Sequence, residues 1–276
     1  LSIVAHLFTA QTFWVRICVS EGTKGGLFQR QSGFFMPAHK RQRLDSVAAA
    51  IQQRHGPQAL RLGSTLDDTL DIPHISTTFP ALDAITGCGG FPAGAITLLT
   101  GRSTSGKLTL AYKLLASAQR GLRGDVAYNV GLLDLSRTAD PDYVARCGVH
   151  LDALLVARPA IGPQTVQLLG DMIQTYQLRA VVVDCLADLA LSPAALRTFH
   201  GMLGRLQQLL RTTQCTLVLL DEPSAPWVRW MNLDRARPVR WSSALHLEMR
   251  REQWLRKNGA LVGYRAQARL LRSHWV

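Results

Sequence analysis

Residues 101–107 read Gly-Arg-Ser-Thr-Ser-Gly-Lys and lie between two contrasting patterns. Before them, residues 95–99 (Ala-Ile-Thr-Leu-Leu) form a short apolar run, as in a strand buried on both faces. After them, helical periodicity runs to about residue 120. A strand that turns through a glycine loop straight into a helix aims loop N–H groups and the positive helix end at one point. The spacing G-x-x-x-x-G-K is that of a phosphate cradle: the glycines allow close approach, and the lysine reaches the outer phosphates. The candidate nucleotide-binding residues are therefore Gly101, Arg102, Ser103, Thr104, Ser105, Gly106, Lys107, Leu108 and Thr109, and Lys107 is also the first candidate catalytic group.

The next position departs from the pattern. It calls for Ser or Thr, whose hydroxyl ligates Mg²⁺, and here it is Leu108. Thr109 comes one residue late, about 100° round the helix. Asp184 ends the β-branched run Val181-Val182-Val183 and suits the other metal role, a carboxylate that holds Mg²⁺ directly or through water.

The remaining pattern alternates strands with helices. Strands are predicted over 126–135, 179–184 and 215–220, and helices over 43–55, 163–176 and 193–211. Such alternation implies right-handed βαβ units and an α/β fold with a mostly parallel sheet covered on both faces. The 276 residues suffice for one large domain, or for one domain with a small appendage. No apolar run is long enough to span a membrane. Five cysteines (Cys18, Cys88, Cys147, Cys185 and Cys215) are odd in number and form no C-x-x-C pair, which argues against a disulfide framework or a zinc site and for a reducing, cytoplasmic setting. The net charge of +12 suggests a polyanionic partner. Residues 1–35 show no sustained periodicity, whereas Met36 is followed by a basic stretch and then the 43–55 helix. We expect Met36 to be the true start and 1–35 to be upstream sequence, the alternative being a presequence that lacks a basic start and a clear cleavage site. Residues 36–74 then form an N-terminal helix and connector, and 75–276 the core.

Many short blocks, in order and spacing, resemble the bacterial RecA recombinase family. They are Ile75-Ser76-Thr77, Leu82-Asp83, residues 87–94, the phosphate loop, Leu133-Asp134, Asp140-Pro141-Asp142-Tyr143, Gly148-Val149 and Leu154-Leu155. The resemblance covers about residues 44–274 and implies a RecA-like nucleotide-binding core that takes ATP. By the family's pattern Asp140 accepts from the adenine amino group and Tyr143 stacks on the ring. It also implies a role in recombination, repair or the SOS response, with single-stranded DNA and a RecA filament or self-assembly as partners. The RecA-like accessory proteins of translesion polymerases offer a precedent for a regulatory variant, with a polymerase as a further partner.

The departures from the family argue against full activity. The catalytic glutamate's position is Ser136, which cannot act as a carboxylate base. The γ-phosphate-sensing strand end is Asp221-Glu222, whose charge repels a γ-phosphate, although Glu222 is a candidate replacement base. Two cations that reach a neighbouring subunit's phosphates correspond to Arg272 and His274. Of these, His274 is mostly neutral at pH 7. Both DNA loops are short: 185–192, and 223–241, where Trp227, Arg229, Trp230, Arg235, Arg237, Arg240 and Trp241 replace a glycine-rich stretch. From residue 225 to 276 there are 11 Lys/Arg against 3 Asp/Glu, and five of the six tryptophans. That mixture suits single-stranded DNA or a protein partner. The family's small C-terminal domain is not expected here. The resemblance thus implies a degenerate ATP-binding paralogue. The alternatives are an active DNA-dependent ATPase that performs strand exchange, and a structural protein with a vestigial nucleotide site.

Overall fold

The computed structural model describes residues 14–19, 38–56, 72–120, 122–123, 126–127, 129–223, 236–257 and 260–275. The chain divides into two compact units, one of residues 23–71 and one of residues 1–22 with 72–276. In the smaller unit, helix α1 (Ala38–His55) begins five residues before the predicted helix and exposes Leu44 and Val47.

The larger unit is built on an eight-stranded sheet of order β1 (Trp14–Val19), β12 (Ala260–Ser273), β11 (Leu245–Lys257), β4 (Ile96–Gly101), β10 (Thr216–Asp221), β9 (Ala180–Asp184), β7 (Val130–Asp134) and β8 (Leu154–Ala157). Five strands form its parallel centre: β4 (Ile96–Gly101), β10 (Thr216–Asp221), β9 (Ala180–Asp184), β7 (Val130–Asp134) and β8 (Leu154–Ala157). Every residue of β4, β7, β9 and β10 is buried, as expected of strands covered on both faces. On one face α3 (Lys107–Gln119) contributes Leu110, Leu114 and Leu115 to a core that includes Val182 and Val218. On the other, α5 (Pro163–Tyr176) and α7 (Pro193–Thr213) pack Leu169, Ile173, Phe199, Leu203 and Leu206 against Leu98, Val181 and Leu217. Ser192 caps α7 by accepting from the Ala195 N–H, and Pro193 follows at the first helical position. Cys88, Cys147, Cys185 and Cys215 are buried free thiols. Among the described residues, no helix is long and apolar enough to cross a membrane.

Several elements differ from the sequence expectation. The strand predicted over 126–135 is two elements: a short hairpin of β5 (Leu122–Arg123) with β6 (Val126–Ala127), and then β7. The short 185–192 loop contains one helical turn, α6 (Leu186–Leu189). Part of the 223–241 loop is also helical, α8 (Arg237–Ser242), whose Val239 is buried. A long antiparallel pair, β11 (Leu245–Lys257) and β12 (Ala260–Ser273), extends the sheet, with β11 parallel to β4. Trp14–Val19, where the sequence shows no sustained periodicity, forms β1 and pairs in parallel with β12.

The entrance to the core is pinned by Asp83, on the short helix α2 (Pro80–Thr86), whose carboxylate accepts from the Thr77 N–H and the Ser76 and Thr77 hydroxyls. Here β2 (His74–Ile75) pairs with β3 (Phe91–Pro92), and Gly90 passes so close that a Cβ would lie 2.3 Å from the Ile75 carbonyl oxygen. Gly90→Ala is therefore expected to cost roughly 3 kcal/mol, because backbone must move. Urea denaturation checks this; a loss below about 1 kcal/mol would show that the pairing yields freely.

Candidate nucleotide-binding site

The phosphate loop lies where the sequence places it, from Gly101 at the end of β4 to Lys107 at the start of α3. Gly106 takes the left-handed conformation (φ 91°), which turns the chain into the helix. Arg102, Ser103 and Thr104 are exposed, and Ser105 and Gly106 are buried. The Ser105 hydroxyl is a buried polar atom with no hydrogen-bond partner, the kind of group a bound phosphate satisfies. Lys107 is buried; its Nζ donates to the Gly101 carbonyl at 3.1 Å and pairs with Glu222 Oε1 at 3.4 Å. Glu222 therefore stands beside the lysine that a phosphate would approach.

Leu108 packs against the core and offers no oxygen to a metal. Thr109 is turned elsewhere: its hydroxyl bonds the Tyr143 hydroxyl at 2.5 Å and the Tyr264 hydroxyl at 3.0 Å. The Tyr143 ring meets Tyr112 edge-on at 6.0 Å, and burial pushes its hydroxyl well above the ordinary tyrosine value. Asp140 caps α4 (Pro141–Arg146) by accepting from the Asp142 N–H, and is exposed. The two adenine candidates thus share one helix start, Asp140 facing solvent and Tyr143 tied to α3.

Carboxylates collect at the C-terminal edge of the sheet. Asp134 and Asp184 are register partners on β7 and β9. Asp134 is fully buried, pairs with Arg158 Nε at 2.8 Å, and accepts from the Thr138 and Ala139 N–H groups. The Ser136 hydroxyl donates to Asp134 at 3.2 Å and to Asp184 at 3.4 Å, so the serine lies among acidic groups where the family pattern places a glutamate. Burial raises the Asp184 carboxyl above its ordinary 3.8, Lys107 opposes the shift and Asp134 adds to it. A folded aspartate that holds its proton more readily than the unfolded one loses stability as pH rises through that window. Asp184→Asn is therefore expected to be more stable than wild type near pH 7, with the difference vanishing below pH 3.8; thermal melts across pH check the sign. Among the described residues, no group of three His, Cys, Asp or Glu side chains is placed to hold a metal ion. The loop fits a phosphate chain, but the protein side of a Mg²⁺ site lacks its hydroxyl.

The basic candidates fall in two places. Trp227, Arg229, Trp230 and Arg235 lie outside the described residues. Arg237 and Arg240 are on α8, and Arg272 closes that helix by donating to the carbonyls of Arg240 at 2.7 Å and Trp241 at 3.3 Å. His274 lies 3.2 Å from Arg272, and partial burial together with that cation lowers its pKa. Arg272 is in register with His246, three residues before Met249, which pairs with Gly101.

Residues that sequence reading missed come from β11 and β12. Tyr264 lies over the loop, its hydroxyl 3.0 Å from where a Cβ on Gly106 would be. Arg251 donates to the Thr104 hydroxyl at 2.6 Å. The signal that marks these strands is the alternation of Leu245, Leu247 and Met249 and of Ala266 and Ala268, all buried.

A parallel α/β sheet with a glycine loop between its central strand and a helix, and aspartates at neighbouring strand ends, defines the class of phosphate-loop nucleotide-binding proteins. A profile for the RecA N-terminal domain matches residues 42–208. Protein RecA of Haemophilus ducreyi is 30% identical over 201 residues, 67% of this chain and 52% of that protein. Protein RecA of Kineococcus radiotolerans is 36% identical over 154 residues, 55% of this chain and 42% of that protein. Protein RecA of Leifsonia xyli is 27% identical over 256 residues, 86% of this chain and 69% of that protein. The chain belongs to the RecA family. Its match spans about half the length of the first two of these relatives.

Proposed function

We propose that this chain is a nucleotide-binding regulator in recombination or repair, which binds ATP at the phosphate loop and hydrolyses it slowly or not at all. The observation that carries this reading is the pairing of a preserved cradle with a disarmed centre. Lys107 and the loop are in place, while Ser136 stands among Asp134 and Asp184 and Leu108 is turned into the core. Losing one oriented catalytic group costs orders of magnitude in rate. The basic, tryptophan-rich segment before β11 is the contact for single-stranded DNA or for a RecA filament, and α1, with Leu44 and Val47 exposed, is the element for self-assembly or co-assembly. Asp184 is the carboxylate that would hold, through water, an Mg²⁺ brought by the nucleotide. Cytoplasmic placement and an SOS role follow from the same reading, and a translesion polymerase is a further partner class.

The second reading is an active DNA-dependent ATPase. Glu222, 3.4 Å from Lys107, favours it as a substitute carboxylate. ATP turnover by the full chain, with and without single-stranded DNA and beside Lys107→Ala, separates the two. Lys107-dependent binding without turnover is expected. DNA-stimulated turnover abolished by the substitution would establish the second reading instead, and absence of ATP binding would leave a purely structural protein.

A further inference from the structure

A polyphosphate that enters this loop brings several negative charges to a site with few free positive ones. Lys107 already shares its ammonium with the Gly101 carbonyl and Glu222, and Leu108 gives no ligand to a metal. Beside the exposed Arg102 of the loop itself, the hairpin of β11 and β12 supplies a further cation. Arg251 Nη1 donates to the Thr104 hydroxyl at 2.6 Å, and its guanidinium stands 4.5 Å over the Trp254 ring. Trp254 in turn meets Tyr264 edge-on at 5.9 Å, and Tyr264 lies over Gly106. The series Arg251, Trp254, Tyr264 thus spans the outer side of the loop from Thr104 to Gly106. We propose that Arg251 is a phosphate ligand delivered by the hairpin of the same chain: when nucleotide binds, its guanidinium exchanges the Thr104 hydroxyl for phosphate oxygens of the ligand.

Three physical points support the exchange. A guanidinium fork matches phosphate geometry and pairs with it bidentately, and an anion adds a Coulomb attraction that a neutral hydroxyl does not offer. Stacking on Trp254 holds the cation close to its target before the ligand arrives, which reduces the ordering cost of binding. Both Arg251 and Thr104 are exposed, so the pair opens without disturbing the core. The Ser105 hydroxyl, buried and without a partner, lies in the same loop and awaits an acceptor.

The inference rests on the reading that the loop binds nucleotide, and the test keeps the two apart. ATP and ADP are titrated calorimetrically into the full wild-type chain and into Arg251→Ala, Arg251→Gln, Arg250→Ala and Lys107→Ala variants. Arg251→Ala is expected to weaken ATP binding about tenfold. Arg251→Gln, which keeps a stem on Trp254, is expected to show the same loss. Arg250→Ala removes an equal charge from the adjacent position, where Arg250 pairs with Glu248 at 2.9 Å, and is expected to keep affinity within about twofold. Unchanged affinity in Arg251→Ala overturns the inference while Lys107-dependent binding leaves the functional reading intact. A loss in Arg250→Ala equal to that in Arg251→Ala also overturns it, because the effect would then be one of the hairpin's overall charge. No binding by wild type overturns both.

Discussion

Replacing Lys107 with alanine is expected to abolish the rise in thermal midpoint that ATP gives the wild-type chain. A ligand at 100 times its dissociation constant adds about 2.7 kcal/mol to the folded state, which in a chain of this size raises the midpoint by roughly 5 °C. Lys107 is placed to carry most of the charge complementarity for that binding. It is buried at the start of α3, its ammonium is held by the Gly101 carbonyl, and the other cations at the loop among the described residues, Arg102 and Arg251, are exposed. The substitution leaves the fold standing. Glu222, which loses this contact, is about half exposed and can be solvated, and exposed ion pairs contribute at most about 1 kcal/mol. A melt without ATP should therefore stay near wild type, while the ATP-dependent shift disappears. A shift of full size in the variant would remove the phosphate loop from the binding site. The companion substitution Glu222→Gln is expected to move the other way, strengthening ATP binding a fewfold, because it removes a negative charge beside the incoming phosphates.

The parts of this architecture that local pattern specifies were legible in the sequence. The strand, loop and helix around Lys107 depend on neighbouring residues only, and so do α5 and α7, whose Pro163 and Pro193 mark their starts. The apolar runs 180–183 in β9 and 217–220 in β10 announce burial on both faces. The order in which the strands assemble is another matter, since β10 inserts between β4 and β9 and β11 returns to the other side of β4. No local signal encodes those pairings. The long hairpin was obscured for a different reason. Its arginines and tryptophans dominate the composition after residue 225 and suggest a ligand-binding loop, while the alternation that makes Leu245, Leu247 and Met249 a buried strand face is short. The same holds for the site. The cradle could be read from spacing, but Arg251 and Thr104 are 147 residues apart in sequence and meet only through the sheet. The double role of Thr109, which bonds hydroxyls from α4 and β12, is likewise a product of tertiary contact.

The disarmed centre is a claim about two side chains, so restoring both is the stronger test. The double variant Ser136→Glu, Leu108→Thr is expected to raise ATP turnover about 100-fold over wild type, the reverse of what removing one oriented catalytic group costs. Position 136 lies at the mouth of the sheet between Asp134 and Asp184, and its hydroxyl already touches both carboxylates. A glutamate there is longer by two carbons and extends past them, away from Asp134, which is saturated by Arg158 and two backbone N–H groups. Its negative neighbours raise its proton affinity toward the range a general base requires. Position 108 follows the loop lysine, and a threonine there provides the hydroxyl that the phosphate-loop pattern reserves for the metal. Each single variant is expected to stay near background, because a base without a polarised phosphate and a polarised phosphate without a base each lack one half of the work. Turnover is read beside ATP affinity in all four proteins. If the double variant binds ATP as wild type does and still turns over no faster, the loss of activity lies in a third feature. The adjacent candidate is Glu222, whose carboxylate a γ-phosphate must displace from Lys107.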